Sequence, residues 1–197
     1  MLQGGKAKFC FCEMSFLSKI DLQLTRVIFS FSMALNTVLE KAVRIRRITN
    51  GDFHPSVGKT LNNLGIIYAR KRSFQSALAC LEEALNIRKE IESNLDKSST
   101  KDKEEVLNTL FNMGSLQGKM GEYNKSLESF DQVIKIRKSM CMTDDLNVAN
   151  ILHCMGNIYL HKKLFVEARK SYEKSLGLKK LFLGDGNASY SNTVRQN

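Results

Sequence analysis

An all-α chain of antiparallel helix pairs is predicted by three observations. Apolar residues recur at spacings of three, four and seven along most of the 197-residue chain, which is the period of one helix face. One proline, twelve glycines and no useful run of alternating apolar and polar residues leave little room for a sheet. The same hairpin-sized pattern returns three times at nearly fixed intervals, and a unit that cannot bury both its faces needs such neighbours to stack on.

The clearest unit runs from His54 to Glu90. Its first helix carries Leu61, Leu64, Gly65 and Tyr68, a basic break follows from Arg70 to Ser73, and its second helix carries Ala77, Leu81, Ala84 and Leu85. Gly65 and Ala77 are small where the two helices must approach closely. Anchored on Gly65, the pattern recurs at Gly114 and Gly156, 49 and then 42 residues further on. The second helices agree by column: Phe74, Tyr123 and Phe165 open them, Ala77, Ser126 and Ala168 are the small contacts, and Leu81, Phe130 and Tyr172 fill one core slot. Each ends in an aliphatic residue and a base, Ile87-Arg88, Ile136-Arg137 and Leu178-Lys179. The longer first interval is assigned to the polar run Asp96–Lys103, where extra residues lengthen a loop at little cost.

The run Leu64-Gly65-x-x-Tyr68 followed by Ala77, Leu81 and Ala84 resembles the signature of tetratricopeptide repeats. The 42-residue interval, His54-Pro55 and Leu61-Asn62-Asn63-Leu64-Gly65 further resemble the longer repeat of kinesin light chains and nephrocystin-3-like proteins. The resemblance implies a right-handed superhelical solenoid of antiparallel helix pairs, acting as a protein-interaction scaffold, cargo adaptor or ciliary scaffold. Gln117 in place of Tyr and Ser175 in place of Ala depart from the signature.

Six segments follow. Residues 1–32 are a divergent segment, either poorly ordered or a capping helix, since Glu13, Asp21 and Arg26 interrupt its apolar runs and leave nothing long enough to span a bilayer. Residues 33–50 are the second helix of a partial leading repeat, with Leu39, Ala42 and Ile45 in the columns of Leu81, Ala84 and Ile87. Three hairpins occupy 55–92, 104–141 and 146–181, with His54 capping the first helix and Pro55 in its first turn. Residues 182–197 begin a truncated further repeat or a tail, and incomplete end units offer a route to self-association.

Thirty basic against twenty acidic residues give a net charge of +10, which favours acidic partners. Five cysteines, an odd number with no C-x-x-C, suggest neither a disulfide framework nor a zinc knuckle and fit a reducing, cytoplasmic compartment. His153 and His161 lie about two helical turns apart, too far to share a metal unaided. No phosphate loop or nucleophile elbow is present, so no catalysis, metal or cofactor is expected. A nucleic-acid surface competes through the basic residues from Lys162 to Lys180, but Phe165, Tyr172 and Phe182 sit at core-like spacings rather than as stacking platforms. A purely structural subunit of a larger assembly is the third reading.

By the family pattern, the first helices line a concave groove. The resemblance places Lys59, Asn62, Ile66 and Arg70 there in the first hairpin, Asn108, Phe111, Asn112, Ser115 and Lys119 in the second, and Asn150, His153, Asn157 and His161 in the third. Asparagine, both donor and acceptor, suits pairing with the main chain of an extended peptide, while Lys59, Arg70 and Lys119 suit acidic peptides. The clamp with which some members hold a chaperone's C-terminal carboxylate is matched only by Asn112.

Overall fold

The computed structural model describes residues 35–94, 100–141 and 146–183. Among them are seven helices and no strand: α1 over 35–50, α2 Pro55–Arg70, α3 Phe74–Asn94, α4 Thr100–Lys119, α5 Tyr123–Ser139, α6 Leu146–His161 and α7 Phe165–Leu183. The expectations for residues 1–32 and for the chain after Leu183 lie outside the described residues.

Local chemistry sets the helix ends. His54 caps α2, its Nδ1 accepting from the Ser56 amide at 3.2 Å, and Pro55 takes the first turn, where no N–H partner is needed. Within each hairpin the turn closes the same way: the amides of Ser73, Glu122 and Leu164 reach back to the carbonyls of Tyr68, Gln117 and Tyr159 at 2.9–3.0 Å. The residue before each of these amides has positive φ, 62° at Arg72, 81° at Gly121 and 60° at Lys163. Only the middle hairpin fills that left-handed position with the residue that adopts it without strain.

Packing inside each hairpin follows from the small anchors. A Cβ placed on Gly65 would stand 2.9 Å from Leu81, one on Gly114 2.9 Å from the Phe130 ring, and one on Gly156 2.6 Å from the Tyr172 ring. The column of growing side chains therefore seats directly on the glycine column. Ala77, Ser126 and Ala168 are buried opposite, and the Ser126 hydroxyl donates to the Gly114 carbonyl. The two departures from the repeat signature are likewise satisfied, since Ser129 donates to Gln117 Oε1 at 2.9 Å and Ser175 to the Ala149 carbonyl at 2.6 Å. A buried polar group so paired costs little.

The hairpins stack into one array. A single apolar core runs from Ala77 and Leu81 through Leu107, Leu116 and Phe130 to Ile158. A smaller core of Val43, Val57, Leu61, Ala84 and Ile87 seats α1 on α2 and α3. The second helices α3 and α5 meet the next hairpin through its first helix, and α2, α4 and α6 touch in succession along one face.

Three expectations need correction. α4 starts at Thr100, so half of the polar run assigned to a loop is helix. Asp102 in its first turn favours the helix start, and Glu104 and Glu105 tie that turn to Arg137 and Arg88. Ile45 is 59% exposed, whereas Ile87 is packed in the smaller core with Val57 and Ala84. Phe165 and Phe182 are exposed and only Tyr172 is core. Phe165 opens the last described hairpin, and among the described residues no further hairpin covers it as α6 covers Tyr123.

Candidate peptide-binding groove

The thirteen sequence-selected residues lie on α2, α4 and α6, twelve of them in four rows along the stack and Asn112 one position off the second row. The two outer rows are exposed: Lys59, Asn108 and Asn150 on one side, Arg70, Lys119 and His161 on the other. Between them Phe111, His153, Ile66, Ser115 and Asn157 are half-buried, and Asn62 is only 9% exposed. The result is a face with a semi-apolar floor and polar or basic edges.

Contacts divide the rows further. Asn112 Nδ2 donates to Asn62 Oδ1 at 3.1 Å, a bond that crosses from α4 to α2. Asn157 Oδ1 accepts from the Tyr172 hydroxyl at 2.6 Å, and His153 tilts against the same ring at 5.5 Å. Phe111 likewise leans on Phe130 at 5.8 Å, while His161 stacks on Tyr123 of α5 at 5.6 Å and 7°. These residues are held in place by the array. Asn108 and Asn150 project from adjacent helices and, with Phe111, line a cavity of about 160 Å³ floored by Leu107 and Ile151 and bordered by Arg137.

The recurrent bases at the ends of the second helices were visible in sequence, but not their burial. Arg88, Arg137 and Lys179 are 7%, 2% and 3% exposed. Arg88 Nη2 pairs with Glu105 across the junction to the next hairpin, and Arg137 Nη2 pairs at 3.1 Å with Glu104 of its own. Burial pulls the Arg88 and Lys179 pKa values down, opposed at Arg88 by Glu105. Burial, helped by the Lys179 charge, lowers that of His153, so the imidazole favours its neutral form.

Other chemistry is sparse. Burial pushes the Cys80 thiol up to about 11 and raises that of Cys154, which keeps both protonated near neutral pH. Among the described residues no group of three or more His, Cys, Asp or Glu could hold a metal, and no helix is long and apolar enough to cross a membrane.

Two tetratricopeptide-repeat family models match, one over residues 37–90 and another over 107–140. The chain carries tetratricopeptide repeats. The first match takes in most of α1 with the hairpin of α2 and α3. Solved structures repeat this architecture. BtubC (BKLC) from P. vanneervenii aligns with a TM-score of 0.65 and 18% identity over 83% of this chain and 62% of that one. A Podosopora anserina putative kinesin light chain with nearly identical TPR-like repeats aligns at 0.67 and 18% over 84% and 74%. The APC/C hetero-tetramer Cut9-Hcn1 aligns at 0.60 and 21% over 92% of this chain and 28% of that one. The chain thus spans less than two thirds of the first and about a quarter of the last. No curated protein matches the sequence. At such identities the shared property is the solenoid, and the chemistry of the tetratricopeptide face has to be read from this chain's own residues.

Proposed function

We propose that this repeat array is a non-catalytic protein-interaction scaffold that captures a peptide segment of a partner along the α2–α4–α6 face. The observation that carries this reading is the cavity of about 160 Å³ where Asn108, Phe111 and Asn150 converge. It combines an apolar floor for a side chain with exposed amides that pair equally well with the N–H and C=O groups of an extended strand. Phe111 is braced by Phe130 and so offers its ring without losing rotamer freedom on binding. Asn62 and Asn112, bonded to each other, hold the face flat rather than reach into it. Lys59, Arg70 and Lys119 on the edges favour acidic partners. In its finer form the proposal is a kinesin-light-chain-like cargo adaptor, supported by the 42-residue interval between Gly114 and Gly156.

The test is a pull-down with the full chain followed by mass spectrometry, with affinity for the recovered partner then measured for an Asn108→Ala/Asn150→Ala variant. Each lost side-chain hydrogen bond is expected to weaken binding by about 1 kcal/mol, with the circular dichroism spectrum and melting temperature unchanged. Unaltered affinity for a verified partner would reject this face as the site.

A further inference from the structure

The junction between the first and second hairpins holds a second cavity, of about 250 Å³, lined by Lys59, Arg88, Ile91, Lys101, Asp102 and Glu105. It is larger than the ~150 Å³ cavity that accommodates a benzene ring. Arg88 enters it from the end of α3 with its side chain 7% exposed. One guanidinium nitrogen, Nη2, is taken by Glu105, whereas Nη1 is buried with no hydrogen-bond partner in the protein. A buried charged donor left unmatched is costly, and the planar fork of arginine is shaped for a carboxylate. Among the described residues that line the cavity, three cations face the two carboxylates of Asp102 and Glu105, an excess of one positive charge. Lys59 and Lys101 are exposed, so the rim is basic and reachable from solvent. Lys59 also belongs to the outer row of the groove, which places the cavity in the wall beside a bound peptide.

We propose that this junction cavity is a subsite for an acidic side chain of the captured peptide, its carboxylate seated on Arg88 between Lys59 and Lys101. The inference rests on the groove reading and adds the residue class that its wall accepts. Ile91 lies against the methylene stem of the incoming glutamate or aspartate, and the Arg88–Glu105 pair fixes the guanidinium plane. The register-equivalent Arg137 does not repeat the site, because Asn147 stands where Glu105 stands and the bordering side chains Asn108 and Asn150 are neutral.

The experiment is nitrogen-15 NMR of the arginine side chains in the full chain, with the Arg88 signals assigned from Arg88→Lys. The probes are the amide of N-acetylglutamate, its glutamine counterpart and acetate. A saturable shift of the Arg88 signals with the glutamate probe, absent with glutamine, is expected. A Lys59→Met/Lys101→Met variant, which leaves Arg88 and Glu105 in place, should bind that probe roughly three- to tenfold more weakly. No shift, or equal shifts with the glutamate and glutamine probes, overturns the subsite. Acetate binding as tightly as the glutamate probe overturns the assignment to a peptide side chain. If the subsite fails while Asn108→Ala/Asn150→Ala still lowers affinity for the recovered partner, the groove reading stands without it.

Discussion

At the first junction of the stack, the end of α3 gives Arg88 to Glu105 of the next hairpin, with Lys59 at the rim. At the second, the end of α5 gives Arg137 to Glu104 of its own hairpin, and Asn108, Asn147 and Asn150 border the opening. The backbone frame is shared, since both junctions hang on α4 and the hairpins that meet there are each closed by a glycine under a large core side chain. The polarity is not shared: one junction is ionic and the other is amide-rich and partly apolar. Repeated positions therefore set the shape of the array, and the positions that escape the repeat set what each junction holds.

The largest effect is expected where the two junctions share their frame. Valine at Gly114 drives methyls into the Phe130 ring, 2.9 Å from the first added carbon, and should cost about 3 kcal/mol. Thermal unfolding and amide exchange should show α4 and both neighbours loosened together; loss at one junction alone would break the view of a common frame.

The contrast itself is probed at one register position. Glu105→Gln leaves Arg88 buried without its carboxylate and is expected to lose about 2 kcal/mol in chemical denaturation. Asn147→Ala, one repeat further on, should lose under about 0.5 kcal/mol. Equal losses would erase the distinction between an ionic and a neutral junction.

The hydrogen bond from the Asn112 amide to the Asn62 amide belongs to the first junction only. A double-mutant cycle of the two alanine variants should return a coupling of about 1 kcal/mol, and zero coupling would remove it from the account.

The smallest effect is pH-dependent and confined to the last hairpin. The His153 pKa is held below its ordinary 6.5, so the unfolded chain binds more protons there than the folded one. Its contribution is complete above 6.5 and is lost as pH falls below that value. Denaturation midpoints taken on either side of 6.5 should differ less in His153→Phe than in the parent chain; an unchanged difference would show that His153 is not the group responsible.

Much of the fold was legible because its determinants repeat. Gly65, Gly114 and Gly156 announce close approach, and Leu81, Phe130 and Tyr172 announce what lies over them. The cap at His54 and the hairpin turns are local events fixed by neighbouring residues. The same logic misplaced Ile45, Phe165 and Phe182, since burial needs a covering neighbour as well as a periodic residue. Polarity concealed the helical start of α4, because Thr100 to Lys103 reads as a solvated loop until Glu104 and Glu105 meet their arginines.

The sequence by itself determined the helices, the pairing of each first helix with its second, and the row of polar residues along the first helices. Those features depend on contacts within some forty residues and on the helical period. Only the tertiary structure decided that Asn62 meets Asn112, that Arg88 meets Glu105 with one guanidinium nitrogen to spare, and that Asn108, Phe111 and Asn150 surround one cavity. The offset and rotation of one hairpin on the next bring these residues together, and side chains tens of residues apart carry no local signal of where that rotation will leave them.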